Sequence, residues 1–142
     1  MVQTATVFHL ACPIKDKEST RIFYRDLLGC SPSREGDHWI DFNFYGHQVT
    51  FHVRLDDAEA CDLKTSVDNK TVPARHFGAV LEWQDWHDLK DRFDAHGIDF
   101  ILEPQIRFKG KTGEQATMFI RDPSGNALEF KSYKDPSQIF AT

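Results

Sequence analysis

Two of the chain's seven histidines, His9 and His76, lie 67 residues apart, each inside an apolar, β-forming run, FHLACPI and HFGAVLEW. An imidazole in such a place can ligate a metal or move a proton near neutral pH, although a single strand histidine more often only hydrogen-bonds within the fold. A carboxylate, Glu129, sits in a third run of the same kind, ALEFKSY. Strand alternation turns each of these side chains away from its apolar neighbours. A further group of reactive types is RFKGKTGEQATMF, where Arg107, Lys109 and Lys111 supply positive charge and Gln115 and Thr117 alternate with apolar residues. An anionic substrate would be welcome there; the plainer expectation is a solvated hairpin tip. Cys12, Cys30 and Cys61 are odd in number and form no CxxC pair. They are expected to be reduced and to pack as small apolar residues rather than serve as catalytic thiols.

The elements that must position these groups follow from periodicity. Residues 5–14 form a strand closed by Pro13. From Asp16, Ile22, Phe23, Leu27 and Leu28 recur at helical spacing until Gly29 supplies a stop. Strands follow at 30–34, 38–44 and 48–55, the last two joined by a turn through Tyr45, Gly46 and His47. Residues 56–75 are polar and end in Val72 and Pro73, and they are expected to be a long surface connection, with a helical turn at 58–63. The order then repeats: a strand at 76–83, an amphipathic helix at 85–96 with Trp86, Leu89 and Phe93 on its apolar face, and strands at 100–108, 116–121 and 127–133. Asp122, Pro123, Ser124 and Gly125 make the final turn, and residues 135–142 a peripheral tail. His38, His47, His87 and His96 fall at turns or on helix faces and are expected to be exposed. Trp39, Trp83 and Trp86 are expected to pack the core.

The 142 residues suit one domain of α+β class, 1–142, with modules at 5–55 and 76–134. A net charge of -5 without a basic run argues against nucleic acid and anionic membranes and leaves a small molecule as the expected partner. Neither an amino-terminal signal pattern nor a run of about 18 apolar residues is present, so a cytoplasmic protein is expected.

The doubled βαβββ order, the segment FHLACPIKDKESTRIFYRDLLG and the segment FIRDPSGNALEF resemble the vicinal-oxygen-chelate superfamily, which includes glyoxalase I, bleomycin-resistance proteins and extradiol dioxygenases. The resemblance implies two βαβββ modules forming a pseudo-twofold pair of curved mixed sheets around a cleft. It also implies metal ligands on the first strand of each module and on the last strand, which here are His9, His76 and Glu129. Two imidazoles and a carboxylate suit one divalent ion with open positions; Fe(II) is favoured, and Mn(II), Zn(II) or Ni(II) are compatible.

Aligning the hairpin glycines Gly46 and Gly125 places Thr50 opposite Glu129, where a four-ligand glyoxalase would carry a carboxylate. A one-residue shift would exchange the faces, so either Gln48, Thr50 and His52 or Val49, Phe51 and Val53 face the cleft. The extradiol signature is also incomplete, because Phe119 replaces its tyrosine and no histidine lies at 110–112. The expected function is a metal-dependent, dioxygenase-like enzyme acting on a small vicinal-oxygen substrate. Glu129 and His52 are then the candidate catalytic groups, and Gln48, Thr50, Arg107 and Gln115 the candidate substrate contacts. The alternatives are a glyoxalase-type lyase or isomerase and a metal-free drug-binding protein of the bleomycin-resistance kind. A homodimer is expected from the family and from the need to cover sheet edges.

Overall fold

The structure, a computed structural model, describes residues 6–54, 64–67 and 69–142. Its chain divides into two compact units, residues 1–59 and 60–142. In the first, β1 (His9–Ile14) leads to a helix and then to β2 (Ser31–Gly36), β3 (Trp39–Phe44) and β4 (His47–Val53). The sheet order is β1-β4-β3-β2, with β1 parallel to β4 and the other pairs antiparallel.

The helix starts where the sequence places it. Asp16 caps it by accepting from the Ser19 backbone N–H at 2.7 Å. It does not stay α-helical: α1 (Lys17–Arg21) continues as a π-helical stretch, Ile22–Leu27, before Gly29 turns the chain with φ 76°. The wider turn brings Phe23, Tyr24 and Leu27 inward together. Tyr24 is fully buried, with its ring centroid 4.5 Å from Phe51 and 5.5 Å from Phe42. This contact settles the face of β4. Phe51, and with it Val49, points to the helix, so Gln48, Thr50 and His52 lie on the other face.

In the second unit, β7 (Phe77–Leu81), α2 (Trp83–Ala95), β8 (Phe100–Arg107), β9 (Gln115–Arg121) and β10 (Ala127–Tyr133) repeat the pattern. Their sheet order, β7-β10-β9-β8, has the same mix of directions, so the α+β fold of two βαβββ modules is present. Trp86, Leu89 and Phe93 form the buried face of α2. The Trp86 indole N–H donates to the Phe130 carbonyl at 2.9 Å, and Phe93 packs on Phe130 at 5.9 Å. Residues Leu128 and Phe130 therefore face the helix, leaving Glu129 and Lys131 on the opposite side.

Several expectations need correction. The first strand begins at His9, and His76 stands just before β7 rather than within it. Within the expected surface connection, residues 64–73 form a hairpin that the sequence did not announce, β5 (Lys64–Val67) and β6 (Lys70–Pro73), turned through Asn69 at φ 64°. Asparagine tolerates this left-handed backbone, and fully buried Val72 anchors the hairpin by packing with Leu102 and Phe119. The proposed turn at 58–63 lies outside the described residues, as does Cys61. His87 is half-buried between the rings of Trp83 and Trp86, at 5.1 and 5.0 Å, whereas His38, His47 and His96 are exposed. Within the tail, Pro136–Gln138 forms a short 3-10 turn, and Gln138 accepts from the Gly113 N–H at 2.6 Å. No helix among the described residues is long and apolar enough to cross a membrane.

Burial pushes the Cys30 thiol up to about 11, so little thiolate exists near neutral pH. Cys12 is only half-buried. In native protein at about pH 8, iodoacetamide should alkylate Cys12 well before Cys30. Peptide mapping that finds Cys30 modified first would contradict this placement.

Candidate metal centre

Glu129 sits midway along β10, flanked in register by Gly78 of β7 and Phe119 of β9. Its two carboxylate oxygens have different partners. Thr117 donates its hydroxyl to Oε1 at 2.7 Å, while His76 Nε2 stands 3.1 Å from Oε2. The other ring nitrogen of His76 lies 2.9 Å from the Pro73 carbonyl. A carbonyl can only accept, so Nδ1 carries a proton.

Beyond its Glu129 contact, the imidazole is held by two features. Phe119 packs on its ring at 4.8 Å, and the β5–β6 hairpin, pinned by Val72, presents the Pro73 carbonyl. The hairpin thus belongs to the support of the site. Gly78 is equally constrained, because a Cβ there would enter the van der Waals radius of the Glu129 carbonyl oxygen. Only glycine lets β7 approach β10 this closely.

With Nδ1 protonated, a neutral His76 would turn the Nε2 lone pair toward a carboxylate oxygen. Two acceptors at 3.1 Å repel unless something positive lies between them. A proton meets the need, and the hydrogen bond with Glu129 raises the His76 pKa although burial opposes it. Burial pushes the Glu129 carboxyl up, but the bonds from His76 and Thr117 outweigh it and the net shift is downward. A divalent cation meets the same need. It would find an imidazole lone pair and an ionised carboxylate side by side, each oriented by a second hydrogen bond. The donor chemistry of this pair fits a metal.

His9 belongs to the first unit and is exposed at the start of β1. Its Nδ1 lies 2.9 Å from Gln48 Oε1. Among the described residues, no three histidine, cysteine, aspartate or glutamate side chains are gathered so as to hold a metal ion. The structure brings together His76 and Glu129, with Thr117 as a supporting group.

The strand registers clarify the remaining candidates. Leu10, which follows His9, pairs with Val49, whereas Phe77, which follows His76, pairs with Leu128. One residue further on, Thr50 matches Glu129, as the glycine alignment expects. Thr50 is buried and donates its hydroxyl to Asp41 Oδ1 at 2.6 Å. His52 is exposed, in register with Pro13 and Trp39.

Gln115 and half-buried Arg107 are paired in register on β9 and β8 and share the Glu129 face through the ladder. Gln115 is buried, and its amide donates to the Gly113 carbonyl at 3.3 Å. Lys109 and Lys111 are exposed at the hairpin tip, as the plainer expectation had it. Asp122 serves the turn, accepting from the backbone N–H groups of Ser124 and Asn126 at 2.9 Å each. Sequence reasoning missed Pro73, Gly78 and Asp41. Gly78 alone had a visible signal, a glycine inside a strand immediately after His76 and Phe77.

Residues 6–130 match the family model of the glyoxalase/bleomycin resistance protein/dioxygenase superfamily. A solved glyoxalase/bleomycin resistance protein/dioxygenase from Alicyclobacillus acidocaldarius is 32% identical with a TM-score of 0.76, over 98% of this chain and 99% of that one. A virulence protein of Salmonella typhimurium is 26% identical over 88% of this chain and 82% of its own length. A fosfomycin resistance protein from Listeria monocytogenes shares the fold, with a TM-score of 0.69 at 12% identity over 96% of this chain and 100% of that one.

Proposed function

Because the chain belongs to the glyoxalase/bleomycin resistance protein/dioxygenase superfamily, we propose that it is a metal-dependent enzyme acting on a small substrate with adjacent oxygens, in a dioxygenase-like reaction. The observation that carries this reading is the His76–Glu129 pair, whose facing donor atoms call for a cation and whose orientation is fixed by Pro73 and Thr117. His9 is proposed as the third protein ligand. A divalent ion held by these residues would polarise both substrate oxygens as a Lewis acid. Fe(II) is the favoured ion.

The residues around the pair do the rest. Thr117 holds Oε1 of Glu129, so that Oε2 faces His76 Nε2 and would be the oxygen available to a bound ion. Phe119 excludes water from one side of the imidazole. Gln115 and Arg107 are proposed to meet the polar or anionic end of the substrate, and His52 to assist proton transfer. On this reading residues 1–142 act as one domain, and the protein is a cytoplasmic homodimer.

One observation favours a second reading, a glyoxalase-type lyase or isomerase. Phe119 brings no hydroxyl to the His76 ring, where an extradiol enzyme would have its tyrosine. The two readings separate cleanly in assay. Protein loaded with Fe(II) should consume O2 when given a panel of catechols and other vicinal diols. No uptake with any of them, together with anaerobic turnover of a hemithioacetal by protein loaded with Ni(II) or Zn(II), would replace the oxygenase by the lyase.

A further inference from the structure

The first sheet carries a buried carboxylate that the proposed reaction does not use. Asp41, on β3, is 7% exposed. Thr50 Oγ1 donates to its Oδ1 at 2.6 Å, and Gln48 Nε2 donates to its Oδ2 at 3.5 Å. The same Gln48 presents Oε1 at 2.9 Å from His9 Nδ1. All four residues lie on the sheet face away from the helix, linked by the register pairs His9 with Gln48 and Asp41 with Thr50.

We propose that Asp41 is a positioning residue which, acting through Gln48, holds His9 with its proton on Nδ1 and its Nε2 lone pair free. Hydrogen-bond polarity sets the direction of each contact. An ionised carboxylate only accepts, so the Gln48 amide turns its NH2 toward Asp41. Its carbonyl is thereby left for His9, and a carbonyl also only accepts. The hydrogen in that contact must come from Nδ1. His76 reaches the same tautomer by donating Nδ1–H to the Pro73 carbonyl. Two histidines in different units are thus prepared alike, one by backbone and the other by a side-chain relay.

The relay also accounts for Thr50. At the β4 position that matches Glu129, a hydroxyl anchors a carboxylate displaced to the neighbouring strand. The 3.5 Å contact between Gln48 and Asp41 is long, so the carboxylate's charge, more than bond geometry, steers the amide. Losing that charge should let the amide turn over.

The use of the freed Nε2 for metal rests on the proposed function; the tautomer itself does not. The test is a long-range proton–nitrogen correlation spectrum of metal-free, 15N-histidine-labelled protein at about pH 8.5, about two units above the ordinary imidazole pKa, alongside Zn(II) titration of the same samples. In wild type, His9 should carry its proton on Nδ1. Asp41→Asn and Gln48→Leu should each move it toward Nε2, the form a free neutral imidazole prefers, while His76 stays unchanged as an internal control. Asp41→Asn should add nothing in the Gln48→Leu background, whereas a purely structural Asp41 would act equally in both. Zn(II) binding should weaken about 10- to 100-fold in either single variant.

Gln48 is exposed, so Gln48→Leu keeps the test decisive even where Asp41→Asn folds poorly. A wild-type His9 with its proton on Nε2, or a proton that remains on Nδ1 in Gln48→Leu, overturns the relay. A shifted tautomer with no Zn(II) bound to any sample supports the relay and removes the metal reading instead. An unshifted tautomer with Zn(II) bound does the reverse.

Discussion

Gly78→Ala is expected to destabilise the protein by about 3 kcal/mol, the upper end for inserting a methyl group into a packed site. The reason is local and severe. The new Cβ would land on the carbonyl oxygen of Glu129, which is backbone and cannot rotate away. The parallel pairing of Gly78 with Glu129 must therefore open. His76 immediately precedes β7 and Glu129 lies on β10, so parting these strands also pulls apart the pair whose donor atoms stand 3.1 Å from each other. Urea unfolding should show a lower midpoint, and Zn(II) affinity should fall more than the stability loss alone explains. A variant with wild-type midpoint and affinity would mean that the strands are not this close.

Trp86→Ala should cost about 3–5 kcal/mol, as expected for truncating a large buried aromatic. Trp86 is 1% exposed and fastens α2 to β10, both through its area and through the bond from its indole N–H to the Phe130 carbonyl. Trp86→Phe separates these contributions. It keeps most of the packing and loses the hydrogen bond, so about 1–2 kcal/mol is expected. Denaturant midpoints of both variants check the order. Equal losses would show that the bond, not the packing, holds the helix. Because Glu129 neighbours Phe130, the His76–Glu129 pair should loosen in Trp86→Ala and survive in Trp86→Phe.

The parts of the fold legible in the sequence were those where periodicity and turn chemistry agreed. Asp16 and Gly29 bracket the first helix, and Trp86, Leu89 and Phe93 mark the buried face of the second. Pairing Gly46 with Gly125 correctly matched Thr50 to Glu129, because both hairpins turn at a glycine with positive φ, 88° and 90°. The π-helical stretch was not legible, since Ile22, Phe23 and Leu27 serve an α-turn or a wider one equally well. Residues 64–73 carried too short and polar a pattern to announce a hairpin, and the buried side chain of Val72 became meaningful only beside Leu102 and Phe119.

For the candidate site, the limits were different. Glu129 was marked by strand alternation and both His76 and Glu129 by the family resemblance, and the fold brings them together. Pro73 acts through its carbonyl, a group every residue possesses, so no residue type could reveal it. Asp41 lies in the apolar run WIDFNF, where a carboxylate reads as an outward-facing surface residue. Only the register with β4 brings it to Thr50 and Gln48.

The most direct test of the central claim is the metal content of purified, reconstituted protein, measured beside His9→Ala, His76→Ala and Glu129→Ala. About one divalent ion per chain is expected in the wild type, lost or strongly weakened in all three variants while each stays folded. No bound metal in the wild type after exposure to Fe(II), Mn(II), Ni(II) and Zn(II) would contradict it, leaving the His76–Glu129 pair a proton-bridged structural contact and a metal-free binding protein the better reading.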